Sequence, residues 1–247
     1  MKNKIGWCNL TWIPVWGCNN NCEYCYARGM AKRFYSTIIK SEFKHFCKIH
    51  SSWAWTGDYL EGMSKFKPIF LISQFNKKFP KKPQRIFVGS MSEIFYWDED
   101  WMIGVLKKIK EYPQHTFIFL TKHPIVYCKY TFPGNCWLGV TITNNEDAYY
   151  LDNIYLNPND YRTKFICIEP ILSDINPYFF KKNMDWVIVG AETGSRKGKE
   201  MVMQRWITNI INGCNKYDIP IYLKDSINKL FPDIRAYKQF PKNKGGE

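Results

Sequence analysis

The chain has 247 residues, a net charge of +13, 45% hydrophobic residues and 17% aromatic residues. Such a composition excludes a disordered chain, and no uninterrupted apolar window of about eighteen residues exists to serve as a membrane span. Nine cysteines, an odd number and mostly scattered, exclude a disulfide framework and fit a reducing compartment. The start, MKNKIGWCNLTW, lacks the apolar core of a signal peptide. A cytoplasmic location is therefore expected.

In chain order, short β-rich runs come at Asn9–Val15, Arg85–Ser90, Thr116–Thr121, Cys136–Thr143, Lys164–Pro170, Asp185–Glu192 and Pro220–Asp225. Most are near-continuous apolar stretches, the pattern of parallel strands covered on both faces. Helical spacing separates them. Residues 25–40 continue as a helix directly after a cysteine cluster. Asp98–Pro113 opens on acidic residues, puts Trp101, Val105, Leu106 and Ile109 on one face and stops at Pro113. Met203–Asp218 reads the same way. Strands alternating with helices predict an α/β fold, a partial or complete (β/α) TIM-like barrel of mostly parallel strands. One domain is expected over 1–240, with a basic and aromatic insertion at 37–83 and a flexible tail at 241–247.

In such folds, functional residues sit at the C-terminal ends of strands. Here those ends are polar: Ser90, Ser92 and Glu93; Thr121 and Lys122; Thr141 and Thr143; Glu169; Glu192 and Thr193; Lys224 and Asp225. If they converge, they form a site.

Cys18, Cys22 and Cys25 follow the first strand with C-x3-C-x2-C spacing. A structural zinc site needs a fourth ligand, for which Cys8, His45 and Cys47 are the candidates. A redox pair needs only C-x2-C and leaves Cys18 unexplained. A disulfide also leaves one thiol over. An iron–sulfur cluster held by three thiolates keeps one iron open to a small molecule.

The aromatic Tyr24 before the third cysteine makes the motif similar to that of the radical S-adenosylmethionine (SAM) superfamily. A narrower likeness runs from about residue 9 to residue 225. TWIPVWGC, CEYCYARGMAKRF, RIFVGSMSEIF, FIFLTKHP, WLGVTITN, FICIEPIL and WVIVGAETGS together resemble the phage Gp37/Gp68 family, also described as three-Cys-motif or DUF5131 proteins. The resemblance implies a [4Fe–4S] cluster on Cys18, Cys22 and Cys25, with SAM on the open iron. Tyr24 would lie by the adenine. Gly89, Ser90 and Ser92 stand where a glycine-rich motif meets the methionine amino group, and Thr141 and Thr143 are placed for ribose or carboxylate contacts. The implied activity is reductive cleavage of SAM to a 5′-deoxyadenosyl radical that takes hydrogen from a substrate.

Lys122, Glu169 and Glu192 are the candidate catalytic residues; the alternative is a structural Lys–Glu pair. Tyr96 is a candidate hydrogen-atom donor, with a core aromatic as the alternative. Cys128, Cys136, Cys167 and Cys214 read as packed small hydrophobes. Basic residues concentrated between Arg28 and Arg85, among them Lys77, Lys78, Lys81 and Lys82, are interleaved with aromatics. That mixture suits phosphate contacts and base stacking, so a nucleic-acid base or nucleotide is the expected substrate. A flavodoxin or ferredoxin would donate electrons, and a partner protein or the 37–83 segment would recognise the substrate. The rival readings are a zinc-stabilised nucleic-acid-binding protein and a radical SAM enzyme acting on a peptide or small metabolite.

Overall fold

The computed structural model describes residues 5–49, 57–149, 151, 162–180, 184–193 and 196–242. Strands β1 (Leu10–Trp12), β4 (Arg85–Val88), β5 (Thr116–Thr121), β6 (Cys136–Ile142), β7 (Lys164–Ile168), β8 (Trp186–Val189) and β9 (Ile221–Leu223) form a seven-stranded sheet in the order β1-β4-β5-β6-β7-β8-β9. The order in the sheet is the order in the chain, with β1 and β9 at the edges. The fold is therefore mixed α/β and a partial series of β/α units. β6, β7, β8 and β9 are buried along almost their whole length, as their unbroken apolar runs predict. Residues group into two compact units, Met1–Phe117 and Ile118–Glu247, divided within β5.

In the first unit β1 and β4 pair in parallel, Thr11 opposite Phe87. Trp12 is fully buried, with the rings of Phe79 and Phe117 at 5.1 and 6.2 Å and its Nε1 donating to the Gln74 carbonyl. A two-stranded antiparallel ribbon, β2 (Val15–Trp16) with β3 (Ile69–Phe70), is a feature the strand pattern did not predict. Its strands are two residues each, too short for periodicity to register.

Helix α1 spans Tyr26–Ile49, well past the expected end at residue 40. No Gly or Pro falls between Met30 and Ile49 to stop it. The expected 37–83 insertion therefore begins inside a helix, and continues through α2 (Gly57–Ser64), β3 and α3 (Ile72–Phe75). Glu42 of α1 is buried and accepts hydrogen bonds from the Ser73 backbone and hydroxyl, which docks α1 on α3. Helix α4 (Glu99–Lys110) has Glu99 and Asp100 in its first turn and Lys107, Lys108 and Lys110 in its last, matching the helix dipole. It buries Met102, Val105, Leu106 and Ile109. Trp101 is only half-buried and stacks on Phe70 at 5.8 Å.

The second unit carries α5 (Val126–Lys129), α6 (Asn145–Ala148), α7 (Gln204–Lys216) and α8 (Asp225–Leu230). Gly139 of β6 lies beneath the Phe165 ring, in space that a Cβ would fill. Phe165, Tyr222 and Phe240 surround Trp186 with ring centroids at 5.4–6.2 Å. Residues 237–240 lie along β9. Leu223 N–H donates to the Tyr237 carbonyl, Lys238 forms an antiparallel bridge with Tyr222, and the Trp186 indole donates to the Gln239 carbonyl. Of the expected tail, Pro241 is buried and 243–247 lie outside the described residues.

Candidate functional site

The cysteine loop begins at Gly17, which has φ +96° and donates its N–H to the Met91 carbonyl. A Cβ there would strike the Lys67 carbonyl and come within 2.8 Å of the Phe66 oxygen, so only glycine lets the chain turn here. Cys18 N–H then donates to the Phe66 carbonyl at 2.8 Å, and Cys25 N–H to the Cys22 carbonyl at 3.1 Å. Cys18 and Cys25 pack against a buried cluster that includes Trp16, Ala27, Ala31 and Phe66. None of the three thiols is in a disulfide.

Asn20, inside the motif, ties the loop to the segment after β4. Its backbone N–H donates to Cys18 Sγ at 3.4 Å, and its carbonyl accepts from the Cys22 thiol at 4.0 Å. Its side-chain oxygen accepts from the Tyr96 hydroxyl at 3.0 Å, and its amide donates to the buried Glu93 carboxylate at 3.5 Å. Glu93 also accepts from Phe95 N–H, at the start of a 3-10 turn over Ile94–Tyr96. The Cys18 thiol is pushed up to about 11, first by burial; the Asn20 N–H opposes this, while the charges of Glu93, Cys25 and Cys22 add to it. Burial, with Cys18, Glu93 and Cys22, also raises the Tyr96 hydroxyl. Cys18 thus lies within electrostatic reach of Glu93, Cys22, Cys25 and Tyr96.

The expected cofactor residues of this unit lie around the same loop. Gly89 has φ +74° and donates to the Trp12 carbonyl, ending β4 in a tight turn. The Ser90 carbonyl accepts from the Tyr26 hydroxyl at 2.9 Å. Ser92 has an internal role: its hydroxyl accepts from the Trp97 indole at 3.1 Å. Tyr24 is half-buried between Glu23 and Cys25. Cys8 is buried at the other end of the strand. Its neighbour Asn9 pairs with Arg85 at the start of β4, whereas Gly17 pairs with Ser92 beyond the end of β4. Residues 8–12 alone span about 13 Å at strand rise, so Cys8 is not a neighbour of the three thiols. His45 and Cys47, the other proposed fourth ligands, lie outside the described side chains.

The second unit holds its own polar group at strand ends. Lys224 forms an ion pair with Glu169, whose other oxygen accepts from the buried Cys167 thiol at 3.8 Å. Burial, then the Glu169 charge, pushes that thiol far up; Lys224 and Lys122 pull against it. Gly190 makes room for Glu169, since a Cβ there would fall 2.9 Å from its carboxyl. Glu192 takes two 2.8 Å bonds from Arg196, whose guanidinium holds the carboxyl below its usual range. The Thr143 hydroxyl donates to Asp147 at 2.6 Å, while Thr141 lies beside Cys167 in the sheet register. Among the scattered cysteines Cys136, Cys167 and Cys214 are buried as expected, but Cys128 is exposed at the end of α5. Spacing alone did not single out Asn20, or pair Lys224 with Glu169 and Arg196 with Glu192. The available signal was an amide between two motif cysteines, and opposite charges on strand ends.

Fold and site together define a parallel β/α protein with a three-thiol loop after its first strand. The family model described as "Protein of unknown function (DUF5131)" matches residues 2–234, and the chain belongs to that family. No curated protein and no solved structure matches it.

Proposed function

We propose that the protein is a radical SAM enzyme whose Cys18, Cys22 and Cys25 hold a [4Fe–4S] cluster. The observation that carries this reading is the three-thiol loop itself, unpaired and gathered beside Glu93 and Tyr96 at the end of β4. The remoteness of Cys8 supports it, because a closed structural zinc site needs a fourth ligand. Among the described residues, no three His, Cys, Asp or Glu side chains are grouped tightly enough for a single metal ion.

If held by Cys18, Cys22 and Cys25, a cluster reduced by one electron from the donor protein would supply reductive cleavage of SAM to methionine and a 5′-deoxyadenosyl radical. The chain's own residues orient and shield. Asn20 fixes the loop between Cys18 and Cys22, and buried Trp16, Phe66 and Met91 keep water from one side of it. Ser90, Gly89 and Tyr24 are the SAM-binding candidates, and Tyr96 is the candidate hydrogen-atom donor. The proposed substrate is a nucleic-acid base or nucleotide, supported by the +13 charge and by exposed Lys77, Lys78, Lys81 and Lys82. A flavodoxin or ferredoxin would be the electron donor.

Anaerobic reconstitution with iron and sulfide, followed by dithionite and SAM, tests the reading. A brown protein with about four irons that yields 5′-deoxyadenosine is the expected result. No 5′-deoxyadenosine from a chain with its cluster verified would sink it, and a colourless protein with one zinc would favour the zinc reading.

A further inference from the structure

The first unit contains a cavity of about 400 Å3 between one face of α1 and the turn that follows α2. Arg28, Lys32 and Tyr35 line it from α1, Met63 from the last turn of α2, and Lys65 and Phe66 from the turn that follows. Arg28, Lys32 and Lys65 therefore border one concave space, with Lys65 paired to Glu61. The Arg28 guanidinium sits 5.5 Å from the Phe66 ring centroid. Its Nε is buried and finds no hydrogen-bond partner among the described residues. Arg28 as a whole is half-buried, and an unpartnered buried N–H carries a cost that a hydrogen-bonding partner would offset. Lys32 and Lys65 stand exposed at the rim, while Met63 and Phe66 are buried at the base.

We infer that this pocket binds a nucleoside phosphate. Arg28 meets the phosphate with a planar fork of donors, and Lys32 adds charge at the entrance; Lys65 is held in an ion pair with Glu61. The apolar wall and the half-buried Tyr35 accommodate the nucleoside part. The volume exceeds what a bare phosphate needs, and small-ligand sites commonly begin near this size. The pocket also shares an element with the cysteine loop, since the Phe66 carbonyl accepts the Cys18 N–H. The inference deepens the nucleic-acid part of the proposed function. It is measured without iron or SAM, so either can fail alone.

The test is fluorescence anisotropy of a labelled single-stranded 12-mer oligonucleotide, with 5′-AMP and inorganic phosphate as competitors. Arg28→Gln should weaken oligonucleotide binding about tenfold and lower the slope of log affinity against log salt by about one. Lys32→Gln should weaken it several-fold, and Lys107→Gln, in the last turn of α4, by less than about twofold. Competition by 5′-AMP identifies a free nucleotide as a source; its failure beside Arg28-dependent oligonucleotide binding identifies the nucleic-acid chain. Thermal melts of each variant exclude misfolding, and the exposed Lys32 keeps the test open if Arg28→Gln does not fold. Wild-type binding by both Arg28→Gln and Lys32→Gln, an equal loss in Lys107→Gln, or inorganic phosphate competing as well as 5′-AMP would overturn the inference.

Discussion

Gly17→Ala should damage both the fold and the cysteine loop. At φ +96° an L side chain carries a backbone strain of about 1–3 kcal/mol. The new Cβ would also meet the Lys67 carbonyl and the Phe66 oxygen. Both are main-chain atoms, so no side chain can rotate away. The 66–67 backbone must retreat, and the Cys18 N–H to Phe66 bond of 2.8 Å is lost, at about 1 kcal/mol. The sum is about 2–4 kcal/mol. At about 2–4 °C per kcal/mol for a chain of this size, Tm should fall by roughly 5–15 °C, read by circular dichroism. Gly29→Ala is the control: nothing lies within 4 Å of its Cβ and it sits inside α1, so stability should stay level or rise by up to about 1 kcal/mol. A Gly17→Ala melt within about 1 °C of wild type would refute the reasoning.

Further predictions concern single contacts. Asn20→Ala should lower iron retained at limiting iron by about tenfold or more, as loss of a residue orienting metal ligands does; unchanged loading would show that Asn20 does not position the thiols. In the native protein a maleimide should label Cys128 and spare Cys136, Cys167 and Cys214, whose thiols burial pushes up, Cys214 to about 12; mass spectrometry finding Cys214 labelled first would contradict the packing. Lys224→Met leaves the half-buried Glu169 carboxylate without its cation and should cost about 1–2 kcal/mol in urea unfolding, between exposed and buried pairs; a loss under about 0.3 kcal/mol would mean that solvent screens the pair. Glu192 has a lowered folded value, so the Arg196 bond stabilises fully above the ordinary 4.5 and is lost as pH falls through the folded value. The stability gap between wild type and Glu192→Gln should therefore be largest near neutrality and shrink in acid, and a gap that widens in acid would count against it.

Most of the seven strands of the main sheet were legible because they are apolar runs between polar turns, and the sheet order follows from alternation with helices. The β2–β3 ribbon was not legible, since two-residue strands carry no period and owe their pairing to Gly17 turning under Lys67. Helix α1 was read too short because a basic, aromatic stretch looks like an insertion, whereas past residue 40 a buried contact, Glu42 to Ser73, ties it to α3 over 31 residues. At the candidate site, spacing drew attention to Cys18, Cys22 and Cys25, and the strand-end rule to Glu169, Glu192 and Lys122. Pairing is a tertiary matter. Nothing local says that Lys224 reaches back 55 residues to Glu169, or that Tyr96 reaches Asn20 across 76.

Residues 237–240 have a role beyond filling space around Trp186. A terminal strand such as β9 presents a row of open N–H and C=O groups, a template for another chain. The returning segment occupies that row through Leu223, Tyr222 and the Gln239 side chain, which accepts from Ile221 N–H at 2.9 Å. Residues 237–240 thus cover hydrogen-bonding groups of β9 that would otherwise be open to another chain. A version shortened to residue 236 would carry the same sheet with a sticky border.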